Sequence, residues 1–223
     1  MCGRYALYAD KALLETVFEL EETPDYEASW NVAPTSAVPA VTMQDGRRRA
    51  GLYRWGLVPF WAREIGRYST INARAETLAS RPAYRVPFRE RRCIVPANGY
   101  YEWQAGPGGK QPYYIHPADG GLLAFAGLWD HWHQPEQETT LHSMAIVVTA
   151  ANEDTRTIHE RMPVVLPREA WEDWLDPDNH DTKTLADLLR PAPAGYLDAY
   201  PVSRRVNSPK NDGPELLDRP EKA

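Results

Sequence analysis

The stretches GLLAFAGLWDHW (residues 121–132) and LHSMAIVVTAA (residues 141–151) decide how this chain folds. Each is a short apolar run rich in aromatic or β-branched residues, far too short to span a bilayer, so both read as strands. The polar run HQPEQETT (residues 133–140) joins them. Working outward, RRRAGLYRWGLVP (residues 47–59) alternates and pairs with the strand before it through the QDG turn at 44–46. That earlier strand follows the proline-punctuated TPDYEASWNVAPTSAVPAV. RRCIVPANGYYEWQ and QPYYIHP flank AGPGGK (residues 105–110), a glycine-rich hairpin loop that lacks the spacing of a phosphate loop. DKALLETVFEL (residues 10–20) predicts an amphipathic helix with Ala12, Leu13, Thr16, Val17 and Leu20 on one face. STINARAETLAS reads as a short helix or a loop entering one. PREAWEDWL and TKTLADLL predict helices opened by Pro167 and by Asp181 or Thr182. Nothing repeats and no linker divides the chain. The expectation is one α+β domain over residues 1–217, with mostly antiparallel strands curled into a barrel-like core, peripheral helices, and a loose tail at 218–223.

At 223 residues the chain can bury a sizeable core, and 43% hydrophobic with 25% charged residues is ordinary for a globular protein. The N-terminus has no apolar h-region and turns acidic, which argues against a signal peptide. Two cysteines give no disulfide framework and suit a reduced, cytoplasmic compartment. The net charge of −6 opposes nucleic-acid binding, yet residues 47–92 hold twelve Arg, no Lys and three acids, a local balance of +9. A set of separately solvated arginines explains that count as well as a basic face does. Arginine, however, suits bidentate phosphate contacts and stacking. WGLVPFWA (residues 55–62) adds Trp55, Phe60 and Trp61 among those arginines, the mixture a single-stranded nucleic acid surface uses.

Chemistry-bearing residues are few. In a strand, Tyr100 and Glu102 of GYYEW share one face, so Glu102 stands among apolar groups where a carboxylate needs a partner or a shifted pKa. An exposed acid at a barrel rim fits the same stretch. His159 falls at an element boundary, where a structural role is the commoner one. His131 and His133 of HWH could share a strand face, but no cysteine or carboxylate stands at ligand spacing, so no metal is expected. Cys2 is unusual by position. Once Met1 is removed it carries an α-amine and a thiol on adjacent carbons. That pair serves an N-terminal nucleophile hydrolase, such as the amidotransferases that also begin Met-Cys-Gly. Equally it traps an aldehyde: the amine, with a reference pKa of about 7.7–8.0, forms a Schiff base and the thiol closes a five-membered thiazolidine. A third alternative is a noncovalent single-stranded nucleic acid binding module with an incidental Cys2.

MCGRY, WNVAP, WGLVPFWA, INARAET, ANGYYEW, KQPYYI, FAGLW, IVVTAAN, IHERMPVVL and PVSRRVNSPKNDGPEL run in order from residue 1 to residue 216. Together they resemble the SOS response-associated peptidase (SRAP) family, the abasic-site processing proteins. The resemblance implies covalent capture of abasic sites in single-stranded DNA, with abasic-site lyase and autopeptidase activities. It assigns the crosslink to Cys2, sugar and phosphate positioning to Asn72 and Arg74, acid–base work to Glu102, and assistance to Schiff-base formation to His159. It further assigns phosphate contacts to Arg4, Arg81 and Arg161, an aromatic at the strand junction to Trp61, and the pocket lining to Pro34. The implied partner is single-stranded DNA with an abasic site, met by a monomer without cofactor, metal or membrane. Only Met1 precedes Cys2, which leaves autoproteolysis little to act on. Cys93 is expected to be a buried structural thiol.

Overall fold

The computed structural model describes residues 2–66, 70–133 and 139–220. Met1, Arg67 of the basic stretch, most of the polar connection after the first quoted strand, and the end of the tail lie outside the described residues. Strand β1 (Arg4–Leu7) is followed by helix α1 (Lys11–Phe18), β2 (Ser29–Val32), β3 (Ala37–Gln44), β4 (Arg47–Trp55) and β5 (Asn72–Arg74). Next come α2 (Arg85–Glu90), β6 (Arg92–Ala97), β7 (Gly99–Gln104), β8 (Gln111–Pro117), β9 (Leu123–His133) and β10 (Thr140–Ala150). The chain closes with β11 (Arg161–Pro163), α3 (Trp171–Leu175), α4 (Thr182–Asp187) and β12 (Leu197–Pro201). Among the described residues, no helix is long and apolar enough to cross a membrane.

The two quoted stretches are β9 and β10, paired antiparallel from Gly127–Ile146 to His133–Thr140. This pairing closes a five-stranded barrel, because β10 also meets β4, β4 meets β3, β3 meets β6, and β6 meets β9. Closure removes the exposed edges and buries the inner face, and neighbouring elements cover the outer one, so Leu123–Leu128 and Ser143–Thr149 are buried without alternation. The β3–β4 hairpin turns through Asp45 (φ 51°) and Gly46 (φ 70°), the left-handed pair that matches strand twist. A second sheet, ordered β12-β8-β7-β1-β2, packs beside the barrel.

Several expectations change. RRCIVPANGYYEWQ is two strands, since Asn98 Oδ1 accepts from the Tyr8 and Ala9 N–H groups at 2.8 and 3.0 Å. That side chain caps the chain's departure, so β6 stays in the barrel while β7 enters the second sheet. INARAET begins as strand β5, paired parallel to β10, and only Ala75–Thr77 forms one 3-10 turn. Helix α1 buries Leu14 and Phe18, whereas Leu13 is 43% exposed, so its inner face is offset from the expected one. Phe18 wins that place by stacking on Trp171 at 4.9 Å between centroids. In PREAWEDWL, Pro167 leads into a 3-10 turn, and α-helix starts only at Trp171. Asp181 does cap α4, accepting from the Lys183 and Thr184 N–H groups.

Gly99 marks the tightest point of the second sheet. A Cβ there would lie 2.5 Å from the Tyr114 ring and hydroxyl and 2.7 Å from the Ile115 carbonyl oxygen. Backbone cannot yield as a side chain does, so Gly99→Ala should destabilise the protein by about 2–3 kcal/mol, read as a lowered urea midpoint. An unchanged midpoint would contradict this packing.

Candidate functional site at the barrel mouth

Strand β10 changes partners along its length, and the change creates an opening. Residues Ser143 and Met144 pair with β4, but Ile146–Val148 pair with Asn72–Arg74 of β5 on the same edge. On the other edge the pairing with β9 stops at Gly127, and Arg161–Pro163 of β11 take over beside Val148–Ala150. Asn72, Arg74 and Arg161 therefore stand together around the end of β10.

Cys2 enters from the second sheet. The β1–β7 register, Arg4 opposite Tyr101 and Tyr5 opposite Tyr100, brings Gly3 opposite Glu102 if it is carried one residue past the strand end. Cys2 is fully buried, and its backbone carbonyl accepts from Asn72 Nδ2 at 2.7 Å. This bond ties the N-terminal segment of one sheet to the barrel. Asn72 Oδ1 is buried and has no hydrogen-bond partner among the described residues. The Asn72 carbonyl in turn accepts from Tyr84 Oη at 3.1 Å. Burial pushes the Cys2 thiol far above its usual pKa, and the nearby Glu102 charge pushes it the same way. Its S–H donates weakly to the Arg4 carbonyl at 3.7 Å.

Glu102 is 3% exposed, which removes the reading of an exposed rim acid. It shares the inner face of β7 with Tyr100, as the alternation predicts, while Tyr101 packs in a separate cluster on the outer face. A cavity of roughly 430 Å³ is lined by Glu102, Trp103, Lys110, His159 and Asn207. His159 Nδ1 accepts the Arg161 backbone N–H at 3.0 Å, so a neutral ring carries its proton on Nε2. Lys110, Trp103 and Asn207 were not singled out from the sequence. Lys110 and Asn207 come from a hairpin loop and the C-terminal segment, and only tertiary structure brings them to Glu102.

The expected strand-binding residues divide into two groups. Arg74 and Arg81 are exposed and make no ion pair among the described residues. Arg161 is paired with Glu76, and Arg4 is spent inward, on Asn31 Oδ1 and the Val206 and Asn207 carbonyls. For Glu76, burial raises the carboxyl pKa, but a backbone hydrogen bond and Arg161 outweigh it and hold the group below the usual range. Pro34 and Trp61 line a second, largely apolar cavity of roughly 630 Å³ together with Trp55, Ile71 and Ala83. Trp61 is 54% exposed beside exposed Phe60 and Ile65. Its loop is pinned from below: Asp130 Oδ2 accepts the Phe60 N–H at 3.0 Å, and Trp132 Nε1 donates to the Ala62 carbonyl at 2.7 Å.

Much of the basic stretch is neutralised. Arg47, Arg48, Arg49 and Arg91 pair with Glu21, Glu19, Asp45 and Asp130 respectively. Arg92 is buried among the carbonyls of Phe88, Arg89, Trp174, Asp176 and Asn179, and burial lowers its pKa to about 10. On that flank the arginines are paired or buried rather than separately solvated or gathered into a basic face, while Arg74 and Arg81 remain exposed. AGPGGK is a turn, with Gly109 N–H bonded to the Gly106 carbonyl at 3.0 Å. His131 is exposed and lies 3.8 Å from Asp130. Among the described residues, no three metal-ligating side chains converge.

A profile of the SOS response associated peptidase (SRAP) family matches residues 1–209. The chain is 41% identical over 224 aligned residues to abasic site processing protein YoqW of Bacillus subtilis, covering 98% of this chain and 99% of that protein. It is 37% identical to abasic site processing protein HMCES of Gallus gallus, covering 86% of this chain and 66% of that one. The crystal structure of a protein from Bacteroides thetaiotaomicron superposes with a TM-score of 0.86 at 28% identity, covering 98% of this chain and all of the other.

Both thiols are buried, and burial pushes both above their usual pKa. In the chain that retains Met1, a thiol-specific chromogenic reagent at pH 8 should therefore leave Cys2 and Cys93 unmodified until guanidinium is added. Rapid titration of either thiol in the folded protein would contradict the burial.

Proposed function

The chain belongs to the SOS response associated peptidase family, and from that premise we propose that it captures abasic sites in single-stranded DNA covalently through Cys2. The observation that carries the reading is the Asn72–Cys2 bond of 2.7 Å beside buried Glu102. It holds an N-terminal aminothiol rigidly in the buried segment that runs beside β7, whose Glu102 lines the cavity with His159. Removal of Met1 frees the amine. The orphaned Asn72 Oδ1 then accepts one of its N–H bonds and aims the lone pair outward.

The steps balance without a cofactor. The Cys2 amine adds to C1 of the ring-opened deoxyribose aldehyde and gives a carbinolamine. Glu102 protonates the departing hydroxyl, which leaves as water, and an iminium remains. Glu102, now a carboxylate, takes the thiol proton. The sulfur then adds to the iminium carbon and closes the ring of C1, N, Cα, Cβ and S. A base is needed at this step because the buried thiol does not ionise at neutral pH by itself. His159, held through Nδ1, offers its Nε2–H to the sugar oxygens during ring opening. Arg74, Arg81 and Arg161 hold phosphates, joined by whatever donors Arg4 has left, and Trp61 stacks a base over the Pro34 pocket. Proton loss from the carbon beside the iminium would instead expel the 3′ phosphate, which is the lyase branch. The autopeptidase reading uses Cys2 as nucleophile with the same Glu102 and His159.

Incubation with a single-stranded oligonucleotide carrying one abasic site, followed by a denaturing gel, tests the reading. A heat-stable shift should form with the parent and with Cys93→Ala, and vanish with Cys2→Ala or undamaged DNA. Glu102→Ala should slow the shift about 10²–10⁴-fold, the usual worth of general acid–base catalysis, while leaving strand binding intact. A shift that survives Cys2→Ala would defeat the proposal by placing the crosslink on another residue, and no shift with the parent lacking Met1 would favour an N-terminal hydrolase or simple binding. The Glu76–Arg161 pair supplies a second check. Glu76→Gln releases Arg161, so undamaged single-stranded DNA should bind about two- to fivefold more tightly, the scale of a surface ion pair. Weaker binding would place Arg161 away from the strand.

A further inference from the structure

We propose that Asn207 is a substrate-contacting residue of this site, whose side-chain N–H donates to an oxygen of the DNA sugar–phosphate backbone at the lesion. The inference rests on the strand-capture reading above.

Asn207 ends the 3-10 turn Arg204–Asn207, yet it lines the same cavity as Glu102 and His159. The segment that carries it is held by an unusual clamp. Asn31, 4% exposed on β2, donates its Nδ2 to the carbonyls of Val206, Ser208 and Asn211 at 3.3, 3.0 and 2.8 Å. Asn31 Oδ1 accepts from Arg4 Nη1 at 2.8 Å, and that guanidinium also donates to the Val206 and Asn207 carbonyls at 2.8 and 3.1 Å. Asp212 adds a bond from below, accepting the Trp30 N–H at 2.7 Å. A buried amide and a half-buried guanidinium with this many acceptors fix a backbone firmly. The clamp sits on β2, the strand next to β1, and shares Arg4, which stands two residues along the chain from Cys2.

The orientation of the Asn207 amide follows from its partner. Trp103 Nε1–H can only donate, and it lies 2.7 Å from Asn207 Oδ1. That bond assigns oxygen to the Trp103 side and leaves Nδ2 without a protein acceptor among the described residues. The cavity thus presents a neutral, positioned N–H donor beside the acid and the imidazole. Its natural acceptor is a phosphate oxygen or a sugar hydroxyl of the strand bearing the aldehyde. Being neutral, it adds aim without adding to the charge that Arg74 and Arg81 already supply.

The test measures the rate of Cys2-dependent adduct formation against protein concentration, using a single-stranded oligonucleotide with one abasic site. Asn207→Ala should raise the half-saturating concentration about three- to tenfold, the worth of one hydrogen bond, with the limiting rate unchanged. Asn207→Asp keeps an oxygen for Trp103 but loses the donor and sets a charge against the phosphates, so its defect should be larger. Asn207 is exposed, so both variants should keep the parent urea midpoint. A methylphosphonate in place of the phosphate beside the lesion separates the two acceptors. Loss of the Asn207→Ala penalty on that probe identifies the phosphate, and its persistence identifies the sugar hydroxyl. Parent-like saturation in both variants overturns this inference alone. Failure of the parent protein to form any Cys2-dependent adduct overturns the capture reading and this inference with it.

Discussion

Strand β10 has two edges and four strand neighbours, and the site exists because of that arithmetic. β4 and β9 flank its first half and close the barrel, then β5 and β11 replace them before the strand ends. A closed barrel with the same neighbours throughout would be a sealed apolar core. The exchange instead admits two short strands that bury Ala73 and Met162 in the core and carry polar residues at the end of β10. Asn72, Arg74 and Arg161 are carried on those strands, and His159 lies two residues before Arg161.

The second constraint is a bond that joins the N-terminal segment to the barrel side. The Cys2 carbonyl belongs to the β12-β8-β7-β1-β2 sheet, and Asn72 belongs to the barrel. Joining them fixes the N-terminus where a disordered tail would otherwise be the default. Glu102 faces the same point from β7 because strand alternation puts it on the side of Tyr100. The cost of burying a carboxylate and a thiol together is visible in the raised Cys2 pKa, and functional groups are where such costs concentrate.

The sequence exposed the local features most clearly. The Asp45–Gly46 turn, the alternation at Glu102 and the Asp181 cap each depend on neighbours a few residues away, so their chemistry is readable in order along the chain. The split at Asn98 was hidden because its side chain bonds to Tyr8 and Ala9, about ninety residues earlier. The same is true of the arginines. Arg48 and Arg91 count as free positive charge in a linear tally, whereas Glu19 and Asp130 reach them from distant segments. The Arg4–Asn31 clamp on Val206 to Asn211 is the extreme case, since it joins the two ends of the chain. The motif resemblance proposes the pieces of the site, and the fold shows what surrounds each one.

The central claim is that Cys2 captures the aldehyde with both of its nucleophilic atoms. Its most direct test is intact and fragment mass spectrometry of the adduct between this protein and an abasic-site strand. The account predicts a mass equal to protein lacking Met1 plus DNA minus one water, localised to Cys2, and unchanged by borohydride because a thiazolidine has no imine to reduce. An adduct at Lys110 or another amine, or one that survives only after borohydride reduction, would contradict it.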